Sequence, residues 1–148
     1  NLATPITTSS NIQFATLPAN NNNDFAGNTC IVAGWGRTGA TNILPDTLQK
    51  AAIKVITTAD CDQLVAGITG NIWDNHLCLY DSANNIGACN GDSGGPVVCE
   101  SVAGSGNYNV FAGVSSWGVS SGMGTCLQNY PSVYTRTSTY LAWIANNQ

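Results

Sequence analysis

The chain has little charge. Of its 148 residues only 8% are Asp, Glu, Lys or Arg, and the four basic ones, Arg37, Lys50, Lys54 and Arg136, are scattered. The formal net charge is −4, so no basic patch exists to hold a phosphate backbone, and no nucleic acid is expected as partner. No apolar run approaches the roughly 18 to 20 residues that cross a bilayer, so no membrane is expected either. There is one histidine, His76, and no Cys-x-x-Cys pair. Zinc is thereby disfavoured, and no metal or other cofactor is expected. No Asn-x-Ser/Thr sequon occurs, which argues against N-glycosylation. The opening Asn1-Leu2-Ala3-Thr4-Pro5 has neither an initiator Met nor a signal peptide, and reads as the start of a piece cut from something longer.

What is present is an even set of six cysteines, at 30, 61, 78, 89, 99 and 126. Such a set favours disulfides and an oxidising, extracellular compartment, so the protein is expected to be secreted. The length suffices for one domain with its own core. Apolar or alternating runs at Cys30 to Trp35, Ala51 to Ile56, Pro96 to Cys99, Val110 to Trp117 and Val133 to Thr137 are separated by turn-rich clusters. That rhythm predicts an all-β barrel or sandwich. Asn20 to Asp24, Gly36 to Asn42 and Val102 to Asn109 read as surface loops. Ser138 is a candidate N-cap for a final helix in which Tyr140, Leu141 and Ile144 share a face.

Chemistry concentrates in Ala88-Cys89-Asn90-Gly91-Asp92-Ser93-Gly94-Gly95-Pro96. The glycines let this loop turn backbone N–H groups toward a bound carbonyl beside a single hydroxyl, that of Ser93. A serine attacks a carbonyl only if a base takes its proton and donors wait where the oxygen becomes negative. The N–H groups of Gly91 and Ser93 are the natural pair, and glycine at 91 leaves room for substrate.

Gly-Asp-Ser-Gly-Gly-Pro resembles the nucleophile loop of trypsin- and chymotrypsin-like serine proteases. Gly34-Trp35-Gly36, Ser116-Trp117-Gly118, Pro131-Ser132-Val133-Tyr134 and the closing Tyr140-Leu141-Ala142-Trp143-Ile144 recur in that family's order and at nearly its spacing. The resemblance implies the second six-stranded antiparallel β-barrel of the two-barrel chymotrypsin-like fold, with a C-terminal α-helix. Residues 1–18 would be the inter-barrel connection and the end of the first barrel, 19–137 the second barrel with nucleophile loop and S1 pocket, and 138–148 the helix. It also implies the disulfides Cys30 with Cys99, Cys61 with Cys78, and Cys89 with Cys126, and Ser93 as nucleophile of a serine endopeptidase. The family's catalytic His and Asp belong to the first barrel. The order His76, Asp81, Ser93 mimics a triad, but His76 reads as a loop residue. The base is therefore expected on a partner chain bearing the first barrel, or else the chain is an inactive fragment. Asp92 is expected to pair with the activated amino terminus of that partner. Protein substrates and protein protease inhibitors complete the expected partners.

Substrate-binding residues carried over from the family are Gly87, Ala88, Asn90, Ser116, Trp117, Gly118 and Ser132. Gly87 stands where trypsins put an aspartate, so no charge awaits Lys or Arg. Ser132 should shorten the pocket, and Gly118 should leave its mouth open. The expected preference is for small to medium uncharged side chains. Gly87, Ser132 and the longer loop from Val119 to Thr125 together resemble the elastase-like fibrinolytic proteases of earthworms. Two rival readings stand beside this one. The Gly-x-Ser-x-Gly elbow of α/β-hydrolases needs a His after the serine, and none follows Ser93. A protease-like binding protein without chemistry remains the alternative function.

Overall fold

The computed structural model describes residues 2–39 and 43–147, so residues 40–42 of the expected loop at Gly36 to Asn42 lie outside it. Six antiparallel strands close into a barrel: β1 (Thr29–Gly34), β2 (Gln49–Ile56), β3 (His76–Tyr80), β4 (Pro96–Glu100), β5 (Tyr108–Gly118) and β6 (Ser132–Arg136). Their order around the barrel is β1-β2-β3-β6-β5-β4. Closure gives every strand a neighbour on both sides, so the sheet has no edge strand.

Alternation decides which side chains go in. In β2, Ile53 and Val55 are buried while Lys50, Ala52 and Lys54 are exposed, the two-residue period of a half-buried strand. The core gathers Ile53, Val55, Leu77, Leu79, Val97, Val110, Ala112 and Tyr134, plugged by Phe25. Cys30 and Cys99 face each other across β1 and β4 and are bonded within this core. A second cluster packs Cys61 and Val65 of helix α1 (Thr58–Val65) on Ile72, Cys78 and Val133. The Cys61–Cys78 disulfide pins that helix to β3.

Thr57 begins α1 by accepting the N–H of Asp60 at 3.1 Å. The C-terminal segment is a 3-10 turn (Thr137–Tyr140) followed by α2 (Leu141–Asn146). Ser138 is not its N-cap. The residue is buried inside the 3-10 turn, and its hydroxyl donates to the Asn23 carbonyl at 2.7 Å, tying the helix entry to the chain before β1. His76 is not a loop residue either; it opens β3 opposite Thr135 of β6.

Candidate active site

Ser93 is exposed on the long segment between β3 and β4, and its neighbours are held from behind. The N–H groups of Asp92, Gly94 and Gly95 donate to the carbonyls of Cys89, Ser115 and Asp92. Those of Gly91 and Ser93 find no such acceptor among the described residues. Gly91 holds φ 102°, a left-handed value that a side chain would resist. Two donors two residues apart are thus left over beside one hydroxyl. An oxygen that gains negative charge is the group such a pair can hold.

The hydroxyl borders a cavity of about 240 Å³ walled by residues 88–90, 115–120, 126–128 and 130–132. Ala88, Asn90, Ser116, Trp117, Gly118 and Ser132 all reach it. Ser132 is buried, and its Oγ accepts the Ala88 N–H at 2.9 Å, so the hydroxyl braces one wall against another. No atom lies within 4 Å of where a Cβ of Gly118 would stand, which leaves that side of the mouth open. Cys89–Cys126 clamps the nucleophile loop to the opposite rim.

Gly87 departs from expectation. It lines a neighbouring cavity of about 390 Å³ rather than the one bordered by Ser93. The physical reason is Gln128, a residue the sequence reading missed. Its side-chain Oε1 occupies the space beside the Gly87 Cα that a Cβ would need.

The β4–β5 ladder ends at Pro96 opposite Val114, and the Gly94 N–H to Ser115 carbonyl bond is the last tie on that side. From Ser116 onward β5 has a free edge there. A bulge between Ser115 and Trp117 also takes Ser116 out of the β6 ladder. A free, irregular strand edge accepts an extended peptide by main-chain pairing. Trp117 serves wall and core together: it lines the cavity and packs on the Val133 cluster. Behind it, the His76 ring meets the indole edge-on at 6.1 Å. His76 does not line the cavity of Ser93. Its Nδ1 accepts the Trp73 N–H at 3.1 Å, and burial lowers its pKa.

Asp92 points away from the serine. One carboxylate oxygen accepts the Gly36 N–H at 2.8 Å and the other the Cys89 N–H at 3.0 Å. The Gly34-Trp35-Gly36 motif follows from this contact, since a Cβ on either glycine would run into the carboxylate. The 390 Å³ cavity opens beside Asp92 and also receives the Tyr134 phenol. The Tyr134 hydroxyl is buried without a hydrogen-bond partner among the described residues, and its pKa is pushed up by burial and then by the Asp92 charge.

A closed six-stranded barrel with a short C-terminal helix is the barrel of the chymotrypsin-like fold. The mouse serine protease neuropsin superposes on 95% of the chain with a TM-score of 0.75 at 28% identity, the match covering 56% of that protein. The trypsin family model matches residues 1–144, and the chain belongs to the trypsin family. It is 61% identical over 147 residues to fibrinolytic enzyme, isozyme C, of Lumbricus rubellus, covering 99% of this chain and 59% of that enzyme. Identity to a Xenopus laevis trypsin is 36% over 88% of the chain and 48% of that trypsin. The chain thus spans about half to three-fifths of the length of these relatives.

Proposed function

We propose that the chain is the nucleophile-bearing part of a secreted serine endopeptidase. The observation that carries this reading is the exposed Ser93 hydroxyl beside two uncommitted N–H groups, at the mouth of a cavity. Ser93 Oγ attacks the carbonyl carbon of the scissile peptide and its proton passes to a histidine. The carbonyl oxygen, now negative, is received by the N–H groups of Gly91 and Ser93. Collapse breaks the C–N bond, the histidine returns the proton to the departing amine, and an acyl-Ser93 ester is left. Water, deprotonated by the same histidine, hydrolyses the ester and restores the hydroxyl.

His76 lies against Trp117 on β3 and outside the serine's cavity, so on this reading the His and the Asp that orients it come from a first barrel, which we place on a separate chain. Exposed apolar side chains support such a partner: Phe14 on the opening segment is 73% exposed and Trp143 of α2 64%. The cavity beside Asp92 takes the partner's free amino terminus, whose ammonium adds a charge partner to a carboxylate already held by two N–H groups. The side chain preceding the cleaved bond, P1, is small to medium and uncharged. The fibrinolytic enzyme from Lumbricus rubellus makes fibrin a candidate substrate. Three internal disulfides fit an extracellular setting.

The test is intact mass of the native material before and after denaturation, with and without a fluorophosphonate, which phosphonylates activated serines with loss of fluoride. The expected result is a companion chain that separates on denaturation, with the label on Ser93. A chain of this mass alone and unlabelled would favour the binding-protein alternative.

A further inference from the structure

Gln128 stands between two cavities. Its side chain borders both the 240 Å³ space beside Ser93 and the 390 Å³ space beside Asp92. Its Oε1 fills the volume next to the Gly87 Cα, where a Cβ would also come within 2.7 Å of Ser132 Oγ. Its Nε2 reaches the Ala88 carbonyl at 3.5 Å, the outer limit of a hydrogen bond. Gln128 and Ser132 therefore close one end of the serine's cavity together: Gly87, behind them, supplies the room by having no side chain, and the amide and hydroxyl occupy it.

Resting on the endopeptidase reading, we infer that Gln128 is the floor of the P1 pocket and the residue that sets its depth and its neutrality. The amide group offers one acceptor and two donors but no charge, so a P1 ammonium or guanidinium finds no counter-ion there. Beyond the amide lies the Asp92 cavity, so the depth of the P1 pocket depends on a side chain rather than on the barrel wall. Shortening Gln128 lengthens the pocket without moving a strand. The same geometry explains why a carboxylate at position 87 cannot simply be added: it would compete with Oε1 for one space.

The test uses the complete enzyme, with a series of peptide substrates differing only at P1 (Ala, Val, Leu, Phe, Lys) and active-site titration of each preparation. Q128A is expected to raise the Phe to Val ratio of kcat/KM by roughly tenfold or more, the scale of one methylene or larger in a hydrophobic pocket. Q128N keeps the amide but withdraws it by one methylene, and is expected to move the optimum toward the next longer side chain. It serves if Q128A does not fold. G87D is expected to leave Lys uncleaved while Gln128 is present, and G87D combined with Q128A to admit it. A titratable, active Q128A or Q128N whose P1 ratios match those of the unaltered enzyme overturns the assignment, as would cleavage after Lys by G87D alone. An unaltered enzyme that titrates no active site and cleaves none of the series overturns the endopeptidase reading itself, and with it this inference.

Discussion

The Asp92 carboxylate rests on Gly36, accepting its N–H at 2.8 Å in a space that exists only because position 36 has no side chain. Gly36 precedes Arg37, whose own N–H donates to the Asn90 carbonyl at 3.0 Å. The loop after β1 and the nucleophile loop are thus laced together from both directions. The Gly36→Ala variant should displace the carboxylate and misdirect the Gly91 N–H. Activity of the complete enzyme should fall by about 10² to 10³, the cost of one lost oxyanion donor. Steady-state kinetics with titrated active sites, set beside thermal melting, checks this. Unchanged kcat would mean that Asp92 does not govern the loop.

Glu100 makes an acid-sensitive joint at the β4–β5 connection. Its side chain is buried, and its carboxylate oxygens accept the N–H groups of Gly104 and Gly106, each at 2.8 Å. The Gly104 bond first, and then the Gly106 bond, lower its pKa. The folded state then binds fewer protons than the unfolded one. The resulting stability is complete above the unfolded carboxylate's value of 4.5 and is lost as pH falls through the lower folded value. Melting temperatures of the wild type between pH 6 and 3 should drop more steeply than those of Glu100→Gln. Parallel curves would remove Glu100 from the account.

How much of this was legible in the sequence follows from period and reach. Strands such as β2 announce themselves because Ile53 and Val55 alternate with exposed lysines. β3 does not, because Leu77, Cys78 and Leu79 are consecutive and all buried, leaving no alternation in a five-residue element. Helix α1 is marked in the sequence only by its cap signal, Thr57 followed three residues later by the acid Asp60, with no long apolar period behind it. Ser138 looked like the same device, yet its hydroxyl is used across 115 residues of sequence by Asn23. Ala88, Asn90, Ser116 to Gly118 and Ser132, named from motifs, do meet around one cavity. Gln128 belongs to no motif, and its contact with Ala88 spans 40 residues, so only folding reveals it.

His76 should give the protein a second pH response near neutrality. Burial lowers its pKa from 6.5, and its Nδ1 is already occupied as acceptor of the Trp73 N–H. Protonation would set two donors against each other. The folded state again binds fewer protons than the unfolded one, so this stability is complete above 6.5 and declines as pH falls through 6.5 toward the lower folded value. The His76→Gln variant, which cannot titrate, should show a flatter melting curve across that window. Because the ring abuts Trp117, KM for peptides long enough to reach the indole should rise on acidification in the wild type more than in the variant. Equal KM profiles would confine His76 to stability.

Cys89 and Cys126 join the nucleophile loop to the far rim of the cavity across 37 residues of sequence. Closing a loop of that length in the unfolded chain is worth about 3 to 4 kcal/mol in the chain-entropy account. Two further bonds act locally beside it: the Asn90 side-chain amide donates to the Gly124 carbonyl at 3.0 Å, and Arg37 reaches the same carbonyl at 3.4 Å. Neither alone can hold the rim, since each is a single contact to a loop that over residues 120–125 is Ser, Gly and Thr with one Met. The double variant Cys89→Ser with Cys126→Ser should therefore lose stability of that order in denaturant unfolding. It should also raise KM more than it lowers kcat, because Gly94, the residue after Ser93, remains tied to β5 through the Ser115 carbonyl. A fall confined to kcat would place the disulfide's main effect on the serine loop instead of on the cavity wall.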